Sequence, residues 1–506
     1  MTSTALLPHP SGSPVEVDLA WLLDRRAGVP LSSCSDDELA DRLQETQRQR
    51  SRAVAEEAEL VLALAGLRPA LQDPPAEHPG ARRAGWTPAV AVGEVSEFFT
   101  AELATVLNVG RGTAGKKLAR ALTWRDKLPA TFAALRAGEL DERRASVLAD
   151  ALESVPAEVA GRVEDALLGE AGDLSPHALE KRITALALQL DAAAAEERRR
   201  EAEHQADVHL YPGVGDGRTV VAVDLPAEEA AEAFDVVDQL ARMLKADGDD
   251  RPIGALRAQV ASLLLRRPGD GGLPPVTAHL TVTAALEALD GASDVPGEVN
   301  GLPITAAHLR ELLARVGALG LTAPDGGSLT FAVTGPDGQL LATLTPDQLA
   351  RLARRGCPDH PDGACGCGVA GPPPPTQRYR PTDRQRAFVT TRDRHCAFPN
   401  CGQRVGWADL DHVIPHACGG ATDCTNLCCL CRSHHRLKTF APGWHFVMDP
   451  NGTLHVTTPS GVTRTTRPPG MRPPPPERPE PQPPPVAPSP DDPAGEEAGA
   501  EDVPPF

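Results

Sequence analysis

In the last quarter of the chain, residues 394–438 are RHCAFPNCGQRVGWADLDHVIPHACGGATDCTNLCCLCRSHHRLK. This stretch begins with Cys396 and Cys401, separated by four residues, and closes with Cys431 and His434, separated by two. Zn²⁺ takes four sulfur or nitrogen ligands in a tetrahedron, and two ligands this close in sequence can bind one ion from a single turn. The spacing therefore predicts a structural zinc site that holds together a module too small to fold without it.

Four further residues that could bind a metal, transfer a proton or form hydrogen bonds lie between and just beyond the two ligand pairs. Asp411 and His412 lie near the end of an apolar stretch, 405–414, which predicts a strand, and Asn426 begins a loop that leads into a helix carrying His435. Neighbouring side chains of a strand point to opposite faces. Asp411 and His412 can therefore converge on one centre only if the chain bends between them.

The order and spacing of these residues resemble the HNH family of nucleases. The residues that carry the resemblance are Cys396, Cys401, Asp411, His412, Gly419, Gly420, Asn426, Leu427, Cys431, His434, His435, Arg436 and Lys438. The resemblance implies a ββα-metal fold. It also implies hydrolysis of DNA phosphodiester bonds that leaves 5′-phosphate and 3′-hydroxyl ends.

Carried over position by position, the resemblance assigns a role to each of four residues. His412 would be the general base, Asp411 and His435 would bind a catalytic Mg²⁺ or Mn²⁺, and Asn426 would brace the loop. His434 stands where the family more usually has cysteine as the fourth zinc ligand. Histidine also binds zinc, but its position next to His435 leaves open which of the two takes which metal.

The chemistry of hydrolysis is consistent with these roles. A neutral imidazole with an intrinsic pKa of about 6.5 can take a proton from water at neutral pH. A cation held by only two protein ligands keeps open positions for phosphate and water. Two alternatives remain: His412 and His435 could be zinc ligands or surface histidines, and His416 could replace His412 as the base. Cys428 and Cys429 could likewise be alternative metal ligands or buried thiols.

Charge is distributed unevenly along the chain. The formal net charge is -19, the wrong sign for a protein that coats nucleic acid along its whole length. Residues 376–440 nevertheless hold ten Arg and Lys against five Asp and Glu. The candidates to contact DNA phosphates are Arg394, Arg404, Arg432, Arg436 and Lys438, and the alternative for some of them is a purely solubilising surface charge.

Cysteine placement and hydropathy indicate the compartment. Ten of the eleven cysteines lie within 357–431, and clustering with His and Asp in a large chain favours metal binding in a reducing cytoplasm over a disulfide framework. Residues 1–12 lack a signal-peptide pattern, and the longest apolar stretch, 60–67, is too short to span a membrane. We expect a cytoplasmic protein with no membrane partner.

The length of 506 residues predicts several domains. The predicted fold is multidomain: a mainly α-helical N-terminal domain, an α+β middle region, a small zinc-stapled ββα-metal (HNH) module and a disordered Pro-rich acidic tail. The predicted bounds are 1–206 for the helical domain, 207–356 for the middle region, 357–380 for a Cys/Pro-rich linker, 381–465 for the nuclease module with a closing hairpin, and 466–506 for the tail.

The regions upstream of the module carry a second, looser resemblance. Leu128-Pro129, the turn 136–139, and Arg257, Ala258 and Val260 resemble a domain of unknown function (DUF222, the 13E12 repeat type) that precedes HNH modules in many actinobacterial proteins. That resemblance implies nothing about chemistry.

Local patterns in these regions predict individual elements. A capping box at Ser35 predicts a helix to about residue 65, and 176–206 predicts one further helix. The middle region shows two hairpins and a strand at 276–283.

Two other motifs admit both a functional and a structural interpretation. Residues 94–122 have the outline of a helix-turn-helix with Lys116, Lys117 and Arg120 on the second helix, but two packed helices joined by a glycine turn are common in any bundle. A second cluster consists of Cys357, His360, Cys365 and Cys367. It fits either another zinc site or a turn-rich linker with free thiols.

The hypothesis that follows is a metal-dependent endonuclease acting on double-stranded DNA. One module makes a single-strand nick, so cutting both strands requires a homodimer, and the N-terminal domain could supply that contact or bind a partner protein. The alternative is a non-catalytic zinc-stapled DNA-binding protein. The sequence does not discriminate DNA from RNA.

Overall fold

The described part of the chain excludes several segments. In the computed structural model the described residues are 4–7, 15–18, 31–75, 77–80, 94–213, 215, 217–266, 282–285, 288, 293–300, 302–315, 328–335, 337–348 and 371–472. The candidate cluster from Cys357 to Cys367, most of the predicted tail and most of the predicted strand at 276–283 lie outside these residues. Among the described residues, no helix is both long and apolar enough to cross a membrane.

The N-terminal part is mainly helical. After a short hairpin of Thr4–Leu7 (β1) and Val15–Asp18 (β2), the helices are Asp36–Gly66 (α1), Phe99–Leu107 (α2), Arg111–Asp126 (α3), Pro129–Ala137 (α4), Glu142–Leu152 (α5), Ala157–Ala171 (α6), Pro176–Leu190 (α7) and Ala192–Gln205 (α8). Helices α1 to α7 enclose a core that includes Leu103, Leu118, Trp124, Leu135, Leu148 and Ile183.

Local signals explain where several of these helices begin and end. Ser35 Oγ accepts from the Glu38 N–H while the Glu38 carboxylate accepts from the Ser35 N–H, so the predicted capping box is present. Asp191 leaves the helical conformation, with φ −151° and ψ 75°. The single helix predicted for 176–206 is therefore two helices, α7 and α8.

The middle region combines short antiparallel sheets with helices. Its elements are Val208–Pro212 (β3), Thr219–Val223 (β4), Ala227–Ala246 (α9), Ile253–Arg266 (α10), Val282–Thr283 (β5), Gly297–Val299 (β6), Leu302–Ile304 (β7), Ala306–Arg315 (α11), Phe331–Thr334 (β8) and Leu340–Leu344 (β9). Strands β3–β4 and β8–β9 form the two predicted hairpins, and β5, β6 and β7 form a three-stranded sheet.

The C-terminal module, residues 371–472, is built from two small sheets and two helices. Its elements are Asp383–Asp393 (α12), Ala408–His412 (β10), Leu427–Cys431 (β11), Arg432–Phe440 (α13), His445–Met448 (β12), Leu454–Thr457 (β13) and Thr463–Thr466 (β14), with single 3₁₀ turns at Val405–Trp407 and His416–Cys418. Strands β10 and β11 pair antiparallel and α13 follows directly, which is a ββα arrangement.

Two predictions about the module need correction. The strand predicted over 405–414 is shorter, because Val405–Trp407 forms a 3₁₀ turn and Ile414 follows the strand end. The predicted loop after Asn426 is instead β11, whose five residues are all buried. Pairing with β10 gives their backbone groups hydrogen-bond partners inside the core, where a loop would leave them unsatisfied. The predicted closing hairpin is present as β12–β13 and gains a third strand, β14.

The C-terminal module packs directly on the helical domain. Phe98 and Ala101, from the start of α2, belong to the same buried cluster as Phe398 and Leu437 of the module. Arg464 of β14 donates from Nε to the Thr105 carbonyl at 3.0 Å and from Nη2 to the next carbonyl, also at 3.0 Å. These are carbonyls of the last turn of α2, where few intrahelical donors remain, and Thr105 accepts in addition the long 3.4 Å hydrogen bond from the Asn108 N–H. The two parts of the chain therefore share a core and a capped helix end.

Candidate functional site

A cluster of three thiols and one imidazole forms at the junction of β11 and α13. Cys396 and Cys401 lie in the loop after α12, Cys431 is the last residue of β11, and His434 lies in the first turn of α13. Their four ligand atoms all lie within 4.8 Å of one another. The sequence-predicted zinc ligands thus meet at one point, and this S₃N set is one that Zn²⁺ favours in structural sites.

Contacts within the cluster fix the ligand atom of the histidine. His434 Nδ1 lies 3.2 Å from Cys431 Sγ and 3.5 Å from Cys396 Sγ. The Phe398 ring stacks on the His434 ring at a centroid distance of 3.8 Å and an angle of 7°. Because the aromatic ring orients the imidazole, Nδ1 is the atom directed at the thiols.

Crowding of the thiols has an electrostatic consequence. Hydrogen bonding to Cys401 and Cys431, together with burial, raises the pKa of the Cys396 thiol. Hydrogen bonds from Cys396 and Cys401 lower the pKa of Cys431. Without a cation the three sulfurs therefore cannot all ionise easily, whereas a bound divalent ion would stabilise all three thiolates. The donor set fits a metal such as zinc.

A second polar cluster lies on the other side of α13. His435 Nδ1 is 3.0 Å from Asp409 Oδ2, and His435 Nε2 is 3.6 Å from Asp411 Oδ1. Successive residues of a helix point about 100° apart, which separates His434 from His435. The geometry therefore assigns His434 to the sulfur cluster and leaves His435 facing the two carboxylates of β10.

Asp411 is largely buried and has an unusual environment. Its Oδ2 lies 3.0 Å from Lys438 Nζ, but no hydrogen bond to this oxygen has acceptable geometry. Lys438 directs its hydrogen bond to the His412 carbonyl at 2.6 Å. Asp411 therefore has one buried oxygen, Oδ2, that is paired only by charge with Lys438, while its other oxygen, Oδ1, faces His435.

His412 occupies a different environment from its neighbour Asp411. It is 4% exposed, its Nε2 lies 2.8 Å from Thr422 Oγ1, and its ring packs against Tyr379 and His416 rather than His435. Burial lowers the pKa of His412, and the charge of Asp411 only partly opposes this shift. The imidazole is therefore neutral at pH 7. The structure brings Asp411 and His435 together and places His412 on the opposite face of β10.

Asn426 holds the loop between β10 and β11 closed. Its Oδ1 accepts from the Ile414 N–H at 2.8 Å, and its Nδ2 donates to the Ile414 and Ala421 carbonyls at 3.0 and 2.9 Å. Gly420 fits tightly beneath it, since a Cβ there would lie 1.9 Å from the Ile414 carbonyl oxygen. These contacts brace the loop, and a part for Asn426 in catalysis stays a prediction.

The five basic residues predicted to contact phosphate differ in their exposure and in their ion pairs. Arg436 is a correction: it is 6% exposed and forms a buried ion pair with Glu97, so it has no surface to offer a phosphate. Lys438 is engaged by Asp411. Arg394 pairs with Glu298 at 2.6 Å, whereas Arg432 is 68% exposed with a longer 3.4 Å contact to Asp409, and Arg404 is exposed.

The basic residues of the helix-turn-helix outline also have partners. Lys117 pairs with Glu57 at 2.6 Å, and Arg120 pairs with Asp150 at 2.7 Å. Both acids belong to the helical domain itself. Two of the three cations proposed to face DNA are therefore bound within the bundle, which favours the structural interpretation of these helices.

Sequence reasoning missed three residues that the structure adds to the site. Asp409 lies two residues before Asp411 on β10, so strand alternation places both carboxylates on one face. That spacing was a usable signal. Thr422 and Tyr379 gave none, because their contacts with His412 depend on how loops fold back on the strand.

Fold and site together define a multidomain protein with a helical domain, small sheets and a Cys/His centre that could hold metal. The chain belongs to the family described as domain of unknown function DUF222, which matches residues 40–327. The second resemblance drawn from the sequence is thereby confirmed.

Three proteins of Mycobacterium tuberculosis that are similar to the chain carry names that assign no activity. The chain is 31% identical over 395 residues to the uncharacterized protein Rv3776 of Mycobacterium tuberculosis, spanning 73% of this chain and 70% of that protein. It is 46% identical over 90 residues to the uncharacterized proteins MT2160 and Rv2100 of the same species, covering 18% of this chain and 16% of theirs. No solved structure is significantly similar to the chain.

Proposed function

We propose that the protein is a metal-dependent endonuclease of the HNH type that hydrolyses DNA phosphodiester bonds. The observation that carries the proposal is the ββα arrangement in which His435 of α13 faces Asp411 of β10, with Nε2 3.6 Å from Oδ1. A zinc-binding function alone gives no reason for a carboxylate and an imidazole to meet beside a complete Cys₃His cluster. A reaction that depends on a bound divalent ion does give such a reason.

The Asp411 and His435 side chains fit a divalent cation by their chemistry. Asp411 supplies Oδ1, which His435 Nε2 faces at 3.6 Å, and its Oδ2 has no hydrogen bond and only the charge of Lys438 beside it at 3.0 Å. Asp409, on the same face of β10, holds the other nitrogen of His435 at 3.0 Å and so orients the ring. When bound, Mg²⁺ or Mn²⁺ would neutralise charge on the scissile phosphate and on the leaving oxygen.

His412 is suited to take a proton from the attacking water because it is neutral at pH 7. Its Nε2 is already held by Thr422 Oγ1, so Nδ1 is the nitrogen left for water. A working base requires the tautomer in which Nε2 donates to Thr422. Asn426 keeps the loop that follows His412 closed and thereby fixes where the ring lies. A single module of this kind cuts one strand at a time.

The structure also gives support to the alternative, a non-catalytic zinc-stapled DNA-binding protein. His412 is 4% exposed, lies under Tyr379 and does not contact His435. Turnover therefore requires substrate to reach an imidazole that the unbound protein covers. A protein that only binds DNA has no such requirement, and the two functions are separated by whether bound DNA is cut.

Plasmid nicking by the full-length protein tests the proposal. Supercoiled plasmid is incubated with Mg²⁺ or Mn²⁺, and the conversion to open circles is followed by electrophoresis. We expect nicking that is lost on adding EDTA and lost in His412→Ala. The matched control is His455→Ala. His455 lies on β13, outside the site, and pairs with Asp449, so this variant should cut as the unmodified protein does.

Binding and cleavage must be measured on the same preparation. Gel-shift binding without cleavage in either ion, with zinc present in the sample, contradicts the nuclease and supports the DNA-binding protein. Cleavage that survives in His412→Ala contradicts the role given to that residue. Labelled RNA of the same sequence, added in parallel, decides between the two nucleic acids.

A further inference from the structure

A short segment that precedes α12, residues 376–380, lies against His412. The Thr376 N–H donates to the Thr422 carbonyl at 3.0 Å, and Gln385 Nε2 donates to that carbonyl at 2.9 Å and to the Pro374 carbonyl at 3.1 Å. Gln385 and Thr422 are both fully buried. The segment is thus attached to the same threonine whose hydroxyl contacts the His412 ring, and its position is fixed relative to the candidate base.

Tyr379 in this segment is an exposed aromatic beside a buried imidazole. Its ring lies 5.5 Å from the His412 ring at an angle of 21°, and 5.6 Å from the His416 ring at 83°. The residue as a whole is nevertheless 66% exposed. The phenol ring therefore stacks on His412 and meets His416 at a steep angle, while much of the side chain remains in water. Aromatic faces of this kind stack nucleobases without regard to sequence.

Two cations flank this aromatic residue. Arg378 and Arg380 are both exposed, and neither forms an ion pair with any described residue. Farther along, Arg384 and Arg386 of α12 are exposed as well. By contrast, the cations predicted from sequence to bind phosphate are in part buried or paired, as described above for Arg436. The cations closest in sequence to Tyr379 are thus available to a ligand.

We propose that Arg378, Tyr379 and Arg380 form the docking site for the substrate strand of DNA. In this arrangement Tyr379 stacks on a base next to the phosphate to be cut, and the two guanidinium groups bind the phosphates on either side. The inference rests on the proposed nuclease function for the identity of the ligand. An aromatic face between two unpaired arginines, held against a candidate proton acceptor, fits a nucleotide chain better than an acidic peptide because a peptide has no bases to stack.

Equilibrium binding tests the docking site independently of cleavage. Full-length protein carrying His435→Ala, which should prevent cutting without removing the ring against which Tyr379 packs, is titrated into a fluorescein-labelled DNA duplex and its single strand, with anisotropy as the readout. Arg378→Gln/Arg380→Gln should weaken binding and lower the slope of log K against log salt by about 2, roughly one for each lost phosphate contact. The control Arg143→Gln/Arg162→Gln makes the same charge change at exposed arginines of the helical domain, and should leave the slope unchanged.

Substitution of the aromatic residue tests the stacking. Tyr379→Ala should weaken binding of single-stranded DNA by about 5- to 100-fold, the usual effect of losing one base–aromatic stack, and Tyr379→Phe should restore it. In the cutting protein, Tyr379→Ala should raise KM more than it lowers kcat. Equal binding losses in the test and control arginine pairs, or full affinity in Tyr379→Ala, would overturn the proposal.

The outcomes also separate this proposal from the nuclease itself. If the unmodified protein nicks plasmid and the Tyr379 and Arg378/Arg380 variants keep its kcat/KM, the docking site is wrong and the nuclease stands. If nothing is cut in any divalent ion while the same variants lose DNA binding, the docking site stands and the nuclease is wrong. Preferential binding of an acidic peptide over DNA by the same residues would overturn the choice of ligand.

Discussion

Arg436 of α13 and Glu97, just before α2, form a bidentate ion pair. Nη1 lies 2.8 Å from one carboxylate oxygen and Nη2 lies 2.7 Å from the other. The side chains are 7% and 9% exposed, and Arg436 Nε also donates to the Gly80 carbonyl at 2.9 Å. Paired geometry of this kind is the strongest that arginine makes with a carboxylate. The pair joins the helix that carries His434 and His435 to the helical domain.

Removing one partner of this pair should destabilise the protein strongly. Glu97→Gln leaves a buried guanidinium without its counter-charge, for which we expect a loss of about 3–5 kcal/mol in the free energy of unfolding, measured by denaturant titration. Glu170→Gln is the control, because it breaks an exposed pair with Arg182 and should cost at most about 1 kcal/mol. Equal losses in the two variants would show that the buried pair does not hold the module to the bundle.

Zinc content should depend on the cluster at the start of α13 and not on the other thiols. Cys401→Ser removes one of the four ligand atoms and should lower the zinc count by one ion per chain, measured by elemental analysis of purified protein. Cys418→Ser removes an exposed thiol outside the cluster and should leave the count unchanged. Retention of zinc in Cys401→Ser would contradict the assigned ligand set.

The sequence predicted those features whose residues lie close together along the chain, and it failed where a residue's partner lies far away. The capping box at Ser35 and the ligand pairs around Cys396 and Cys431 join residues close in sequence, and spacing alone indicated both. Strand β11 was missed because Leu-Cys-Cys-Leu-Cys has no period-two alternation, and it forms a strand only where β10 pairs with it. Arg436 was misassigned because its partner Glu97 lies 339 residues away.

In the candidate site, too, some contacts could be predicted from the sequence and others could not. The Asp411–His435 contact follows the expectation from the motif, but the position of His412 does not, since its ring is set by Thr422 and Tyr379, which approach from separate loops. A motif gives the order of residues along the chain. It does not give the direction of a side chain whose contacts come from elsewhere.

The loop under Asn426 should not tolerate a side chain at Gly420. An added Cβ would lie 1.9 Å from the Ile414 carbonyl oxygen and 2.8 Å from Asn426 Nδ2, so the loop must move in Gly420→Ala. We expect cleavage to fall about 100-fold, because a displacement near 1 Å at a catalytic group has an effect of that order. Zinc content should be kept, and exchange of the Ile414 amide proton should become faster.

Gly406→Ala provides the comparison for that substitution, since a Cβ at Gly406 meets nothing within 4 Å. Its activity and amide exchange should match the unmodified protein. A Gly420→Ala protein with unchanged amide exchange at Ile414 would contradict the packing described for this loop.

The hydroxyl of Thr422 should fix the tautomer and the orientation of the His412 imidazole. Thr422 is fully buried and its Oγ1 lies 2.8 Å from His412 Nε2, so Thr422→Val keeps the volume but leaves a buried imidazole nitrogen without a partner. An unsatisfied buried polar group costs about 1–3 kcal/mol, and we expect kcat for nicking to fall about 10- to 100-fold with little change in KM. Thr422→Ser retains the hydroxyl and should recover most of kcat. If Ser is as impaired as Val in single-turnover assays, the lost methyl contact rather than the hydrogen bond positions the ring, and the tautomer assigned to His412 is wrong.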